Sequence, residues 1–420
     1  MFRIAQMFDF SLKTRYNWCV KAINKAYKFR FYPSKAAQTK LDTTFRLCWE
    51  LWNAALDERR SAYEQWRKFN TGTEIIGVVG IEGVLRDNPS PKPKINYYTQ
   101  ANQLAEIKEI YPEFKQVHSQ VLQDVLKRLD KAFDNFFRRV KAGETPGYPR
   151  FKGKNRFNSV TFPQGGWSLS NDKLSLSKIG TVKVKLHREV LGKVKTVTLK
   201  KDGNQWYVIF SVETEIEIPA FHEGGVVGID LGIEHFANLS NGEQVDNPRF
   251  FRKAQKHLAK AQRKWDKVKQ LKKGNPLRQK PGKVVTRAHR KVRNCRADFA
   301  HKLSKTLVET YRLIAVENLV IKALAAGMLA KSVNDAGWGQ FLQMLNFKAE
   351  NAGSRVVVVD PRYTSQTCPE CGIVRKKELS ERWHSCECGC EMHRDRAAAL
   401  VIFSRGLATV RNQPLEAPAI

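Results

Sequence analysis

The sequence predicts a multidomain α/β chain, and three observations carry that expectation. Strands and helices alternate from about Gly224 onward. Before that come a strand, two amphipathic helices and a run of antiparallel strands. A cysteine-dense stretch, Cys368 to Cys390, then separates the last apolar strand from the last apolar helix. A length of 420 residues allows two to four domains and at least one large core.

KAYKFRFYPSKAAQTKL opens with an alternating strand, Tyr27 to Tyr32, then Pro33 and a Ser34 cap that start a helix. Phe45, Cys48, Trp49, Trp52 and Leu56 share one face of it. Residues 70 to 100 carry the Gly and Pro of a loop region. In SQVLQDVLKRLDKAFDNFFRRVK, Val121, Leu122, Val125, Leu129, Phe133 and Phe136 are spaced for a core. Lys127, Arg128, Lys131, Arg138 and Arg139 are expected to face outward and offer a nucleic-acid face rather than a merely solvated one.

Aromatics alternate with cations after that helix: Tyr148, Arg150, Phe151, Lys152, Lys154, Arg156, Phe157. Rings can stack on unpaired bases while cations hold phosphates; Phe151 and Phe157 can equally pack inward. From Leu174 to Glu215 the pattern is antiparallel β, with Asp202-Gly203 as a hairpin turn. GGVVGIDLGIEHFANLSNGEQ then gives a buried strand, a turn, a second strand and a hairpin tip at Asn241-Gly242.

From Arg249 to Arg296 there are nineteen Lys or Arg and one acid, Asp266. Leu258, Ala261, Trp265, Val268 and Leu271 keep a helical stripe, and Gly274, Pro276, Pro281 and Gly282 interrupt it, as in a helical hairpin. So lopsided a charge suits a polyanion-facing arm, and Lys256 and Arg290 are candidate contacts beside Arg138, Arg139, Arg150 and Lys152. Helix, strand (LIAVENL), helix and strand (SRVVVVD) follow, and the tail after Arg405 reads as weakly structured.

Composition narrows the partner. Lys and Arg total 73 against 41 Asp and Glu, a net charge of +32 that steers polyanions toward the chain. Nucleic acid is the leading partner and no membrane is expected; an anionic membrane surface is the rival polyanion, and with no run of eighteen apolar residues a spanning helix is excluded. The first twenty residues lack the apolar core of a signal peptide. Five of eight cysteines crowd into one stretch, which points to a local metal site in a reducing cytoplasm rather than a disulfide framework.

Two chemistries stand out. Asp230 in VVGIDLGI and Glu317 in LIAVENL are acids at the ends of apolar strands, and Asp395 precedes the apolar AAALVIF. Such acids are costly unless paired or holding a cation. Three of them at one sheet edge could hold two Mg²⁺ ions about 4 Å apart, a phosphodiester-cleaving arrangement. Gly232 would let a phosphate backbone approach closely. Asp360 resembles these acids, but Pro361 marks it as a turn residue. The second chemistry is zinc. Cys368-x-x-Cys371-Gly372 is a full knuckle, and Cys386-x-Cys388-Gly389 is one residue short. Cys368, Cys371, Cys386 and Cys388 are the expected structural Zn²⁺ ligands, with Cys390 or His384 as substitutes.

At these residues the chain resembles the TnpB family, transposon-encoded relatives of the type V CRISPR effectors. The resemblance spans about residues 25 to 405. It is carried by KAYKFRFYPSKAAQ, SQVLQDVLKRLDKAFDNFFRRVK with PGYPRFK, GIDLGI, AVENL, DAGWGQFLQML, YTSQTCPECG and HRD-x-x-AA, in family order. It implies a RuvC (ribonuclease-H-like) nuclease domain over 221–365 and 393–406 with a zinc ribbon inserted at 366–392. It also implies a β-barrel-like module over 25–33 and 146–220, a helical recognition domain over 34–145, and extensions over 1–24 and 407–420.

The same resemblance implies Asp230, Glu317 and Asp395 as Mg²⁺-binding catalytic acids. The partners it implies are a guide RNA from the transposon end and double-stranded DNA matching that guide beside a short motif. One protomer per RNA, near the nucleoid, is the expectation. His393-Arg394-Asp395-Arg396-Ala397 departs from the family's Asp-Arg-Asp-x-Asn. Two other functions fit the same features: a guided DNA-binding regulator with weakened nuclease, and a transposase acting directly on DNA ends.

Overall fold

The computed structural model describes residues 20–71, 93–153, 156–217, 224–271, 275–378 and 381–412. They form two compact units, one of Ala22–Glu215 and one of the residues from Ile216 onward together with Val20 and Lys21.

The N-terminal unit begins with strand β1 (Val20–Tyr32), seven residues longer than the alternation suggested, and helix α1 (Lys35–Thr71). Ser34 Oγ caps that helix by accepting from the Ala37 N–H at 3.2 Å. The end of the expected loop is helical, in α2 (Tyr97–Asn102); beyond it, α3 (Leu104–Ile110) precedes a 3₁₀ turn at Pro112–Gln116. A capping box at Asn96 and Thr99 starts α2. The rest of that loop, 72–92, lies outside the described residues.

Helix α4 (Ser119–Lys141) matches its apolar pattern as far as Phe133, with Val121, Leu122, Val125, Leu129 and Phe133 buried, whereas Phe136, expected in the core, is only half-buried because it lies in the last turns of the helix. The remaining strands are β2 (Ser159–Phe162), β3 (Trp167–Ser170), β4 (Lys173–Leu176), β5 (Gly180–Lys185), β6 (Lys193–Asp202) and β7 (Gln205–Glu217). They join β1 in a seven-stranded sheet ordered β2-β6-β7-β1-β5-β4-β3. Asp202 pairs with Gln205 across the expected two-residue hairpin, and Gly203 supplies its positive φ. The helices share one continuous core with the sheet, through Leu41, Leu56, Leu122, Val160, Val197 and Phe210. Each such side chain contributes about 1.5–3 kcal/mol on burial.

The C-terminal unit is built on a five-stranded sheet. Its strands are β8 (Gly225–Asp230), β9 (His235–Leu239), β10 (Gln244–Asp246), β11 (Tyr311–Glu317) and β12 (Arg355–Val359), in the order β10-β9-β8-β11-β12. The pairs β8–β9 and β9–β10 are antiparallel, and β8–β11 and β11–β12 are parallel. Helices α5 (Phe250–Val268) and α6 (Pro276–Thr310) make the expected hairpin. Pro281 and Gly282 do not interrupt it: α6 runs through both. A Cβ at Gly282 would lie 2.9 Å from the Trp265 ring, so the glycine admits that indole against α6.

Short helices α7 (Ile321–Leu324) and α8 (Ala330–Ala336) lead into α9 (Trp338–Ala352). After β12, strands β13 (Trp383–Ser385) and β14 (Glu391–His393) pair antiparallel. Helix α10 (Arg394–Asn412) closes the described chain. It corrects the expectation of a weak tail after Arg405, because the helix continues to Asn412, with Leu407 and Val410 packed against the sheet.

Candidate metal-binding and nucleic-acid sites

Parallel pairing builds the first site. Ile229 and Val316 are register partners, so Asp230 and Glu317 follow side by side at the C-terminal ends of β8 and β11. Helix α10 brings the third acid, with Asp395 in its first turn. Two glycines set how closely that helix lies. A Cβ on Gly228 would stand 2.3 Å from the Ala399 carbonyl, and one on Gly406 would stand 2.4 Å from Ala315 Cβ. With no Cβ there, the helix backbone rests directly on β8 and β11.

Asp230 feels the other two acids. Burial, then the Glu317 carboxylate, then that of Asp395, push Asp230 up to about 8, and Arg394 partly offsets them. Burial also raises Glu317, while the Thr364 hydroxyl and Arg405 lower it. Thr364 Oγ1 donates to Glu317 Oε1 at 2.5 Å. Arg394 Nε lies 3.8 Å from Asp395 Oδ1. His393, where the family's motif has Asp, lies just ahead of α10, and its Nδ1 accepts from the Asp395 N–H at 3.4 Å. Ala397, at the motif's Asn position, is buried and offers no ligand.

Asp360 is an exposed turn residue whose Oδ1 accepts from the Arg362 N–H at 3.0 Å. Gly232 has a structural reason: its Cβ would lie 2.9 Å from the His235 carbonyl inside the β8–β9 turn. Thr364, Arg394, Arg405 and Asn238 escaped the sequence reasoning. Asn238 is the strand partner of Asp230, and its buried Nδ2 has no hydrogen-bond partner among the described residues. A polar residue inside a buried strand, opposite an acid, was the available signal.

The second site is sulfur-rich. The Sγ atoms of Cys368, Cys371, Cys386 and Cys388 lie within 4.8 Å of one another. Cys368 and Cys388 are 3.6 Å apart, and Cys371 and Cys386 are 3.5 Å apart. Thiolates at about 2.3 Å from a tetrahedral Zn²⁺ stand roughly 3.8 Å apart, so this set fits that ion. Both knuckle glycines, Gly372 and Gly389, take positive φ. The shorter knuckle compensates with a tighter turn, Gly389 N–H to Cys386 O at 2.9 Å. Cys368, His384 and Cys390 form a second, buried set sharing one thiol.

The candidate nucleic-acid contacts differ among themselves. Arg138 and Arg139 are exposed at the end of α4 and sit 3.8 and 3.9 Å from Glu144. Arg150 is exposed. Lys152 is half-buried, its ammonium 3.5 Å from the Trp52 ring centroid, and burial lowers it to about 8. Its backbone N–H donates to Asn53 Oδ1 at 2.8 Å. The neighbouring rings divide, with Phe157 buried and Phe151 exposed.

Arg128 is not outward, contrary to the helix pattern. It pairs with Asp124 at 2.6 Å and donates to Ser159 O at 3.0 Å, because β2 packs over that turn of α4. Lys256 lines an open groove along α5 with Arg252, Lys260, Arg263, Lys264 and Lys267. Arg290 is half-buried on α6. No described helix is long and apolar enough to cross a membrane.

An acid-edged sheet, a cysteine quartet and a net charge of +32 define a strongly basic protein with two clusters suited to cations. Comparison with known proteins narrows this. The OrfB_IS605 family model, described as "Probable transposase", matches residues 209–327. The "Cas12f1-like, TNB domain" model matches 338–402. A "Helix-turn-helix domain" model matches 23–68, where the structure has β1 and α1.

Two curated relatives are named "Putative RNA-guided DNA endonuclease". One, from Streptomyces pristinaespiralis, is 31% identical over 93% of this chain and 91% of its own. The other, InsQ from Escherichia coli K12, is 28% identical over 86% and 87%. A "TnpB-like protein" of Acanthamoeba polyphaga mimivirus is 25% identical over 90% and 73%. The chain belongs to the TnpB family, whose transposon-linked OrfB model it matches.

Proposed function

We propose that this protein is an RNA-guided DNA endonuclease, with Asp230, Glu317 and Asp395 as its catalytic acids. The observation that carries the reading is the burial of Asp230 beside the Glu317 and Asp395 carboxylates, which together raise it to about 8. Acids crowded in this way are stable as anions only with cations among them, and their oxygens are the hard donors that Mg²⁺ prefers. Bound there, two Mg²⁺ ions would supply Lewis-acid activation of water and of the leaving oxygen. The chain's own residues do the rest. β8 and β11 hold two acids in register, α10 supplies the third, and Arg394 offsets part of their repulsion.

The sheet order, with an antiparallel three-strand meander beside two parallel strands, supports a ribonuclease-H-like (RuvC) assignment for residues 221–365 and 393–406. Cys368, Cys371, Cys386 and Cys388 would hold a structural Zn²⁺, whose four filled positions leave none for substrate. The net charge of +32 suits a guide RNA and a DNA duplex, and pairing between guide and target would carry sequence specificity. The presence of all three acids speaks against a regulator that has lost its nuclease.

The test is to purify the protein with RNA from its native locus, sequence that RNA, and offer a matched DNA duplex with Mg²⁺. Cleavage by the wild type and none by Asp230→Ala, with RNA binding unchanged, is the expected result. Persistent cleavage by Asp230→Ala would refute the site, and strand-transfer products would favour a transposase.

A further inference from the structure

We propose that Thr364 is the positioning residue for the Glu317 carboxylate, and that residues 360–364 form a loop built to hold its hydroxyl in place. The inference rests on the reading of Glu317 as a cation-binding acid.

Thr364 is buried, and its Oγ1 lies 2.5 Å from Glu317 Oε1 and 3.1 Å from Pro361 O. A hydroxyl has one proton, and an ionised carboxylate is the stronger acceptor. With one lone pair of Oε1 engaged, the carboxylate plane is fixed and Oε2 is the freer oxygen for a cation. A carboxylate fixed at one oxygen binds metal without first giving up its rotational freedom.

The loop is over-determined around this one contact. Tyr363 takes φ +60°, a left-handed conformation that costs an aromatic residue energy and persists only where its surroundings enforce it. Those surroundings are visible. Arg405 of α10 donates through Nη1 to the carbonyls of Asp360 and Arg362, at 2.7 Å each. The Tyr363 carbonyl accepts from the N–H groups of Gln366 and Thr367, at 3.0 and 2.9 Å. Asp360 Oδ1 takes the Arg362 N–H. Arg405 lies on the helix that carries Asp395, so one helix both delivers the third acid and braces the loop that orients the second.

The loop also leads straight into the cysteine stretch. Thr367 bridges Val374, and Cys368 follows. The ribbon thus anchors the far end of the segment that sets Glu317.

The test compares Thr364→Val, which keeps the shape and loses the proton, with Thr364→Ser, which keeps the proton. Full-length protein with its RNA is titrated with Mn²⁺ by electron paramagnetic resonance, and Mg²⁺ is titrated in cleavage of a matched duplex. Thr364→Val is expected to weaken Mn²⁺ binding about 10–100-fold and to raise the half-maximal Mg²⁺ by a similar factor. Thr364→Ser should restore most of both. Should Thr364→Val fail to fold, Arg405→Lys carries the test, with a smaller loss in the same direction.

Wild-type Mn²⁺ affinity in Thr364→Val, or a Thr364→Ser as impaired as Thr364→Val, overturns the inference. Absence of Mn²⁺ binding in the wild type overturns it together with the reading of Glu317. Mn²⁺ binding that depends on Thr364, without cleavage of any matched duplex, supports the inference and refutes the endonuclease reading alone.

Discussion

Asp230 and Glu317 stand side by side because Ile229 and Val316, one residue earlier, are partners in a parallel ladder. Burial, reinforced by the Glu317 and Asp395 carboxylates, raises the folded-state pKa of Asp230 to about 8, above its ordinary value. Such a group adds stability below the unfolded pKa, about 4, and that stability is lost as pH rises through the folded value. Metal-free protein should therefore melt higher at about pH 5.5 than at pH 8.5, and Asp230→Asn should flatten the difference. Mg²⁺ at pH 8.5 should restore stability to the wild type and not to Asp230→Asn. Thermal melts across pH, with and without Mg²⁺, check this.

Sulfur geometry separates the zinc ligands. Cys371→Ser, Cys386→Ser and Cys388→Ser should each lose the ion, while Cys390→Ser, outside the set of four, should keep one Zn²⁺ per chain. Elemental analysis decides between this set and the Cys368, His384, Cys390 alternative. A strong chelator should unfold the segment, since a structural Zn²⁺ contributes on the order of 10 kcal/mol.

Gly228→Ala tests how α10 reaches the sheet. Its new Cβ would meet the Ala399 carbonyl and the Phe403 backbone at 2.3 and 2.5 Å, which no rotamer change relieves. A loss of about 1–3 kcal/mol or more is expected. Cleavage should fall further than stability, because Asp395 rides on the displaced helix. Denaturant melts beside single-turnover cleavage measure both.

Asp335 clamps the basic hairpin. Its carboxylate accepts from the N–H groups of Phe251 and Arg252, at 2.7 and 3.1 Å, and pairs with Arg296 at 2.8 Å. Those bonds cap α5 and tie it to α6. Asp335→Ala should cost about 3 kcal/mol, because Arg296 is left unpaired in a partly buried place. Asp335→Asn, which can still cap, should cost less, as thermal melts would read.

The α5 groove predicts a salt signature. Lys256→Gln, Lys260→Gln and Arg263→Gln together should weaken nucleic-acid binding and flatten its dependence on salt. Each phosphate that is no longer neutralised lowers the log–log slope by about 0.9 for a duplex and about 0.7 for a single strand. Filter binding over a salt series, with RNA and DNA separately, reports which polymer the groove faces. An unchanged slope would mean a merely solvated face.

Much of this protein is written in local pattern. The spacing of Val121 to Phe133 determined α4, apolar runs determined β8, β11 and β12, and the cysteine spacing marked the quartet. These features depend on residues a few positions apart, where periodicity and ligand chemistry act directly. Pattern failed where a distant partner decides. Arg128 looked like a surface cation until β2 covered it. The tail looked weak because its short apolar stripe finds its partner only when α10 meets the sheet.

The sequence by itself determined the charge, the three acids on core elements, the thiols and most long elements. Tertiary structure decided what surrounds them. Glu317 meets Thr364 across 47 positions, and Asp335 meets the start of α5 across 84. Gly228 matters because another backbone lies against it. The physical reason is that desolvation, charge repulsion and close packing are properties of neighbourhoods in space. A neighbourhood in sequence specifies a side chain's chemistry but not the groups that will hold it.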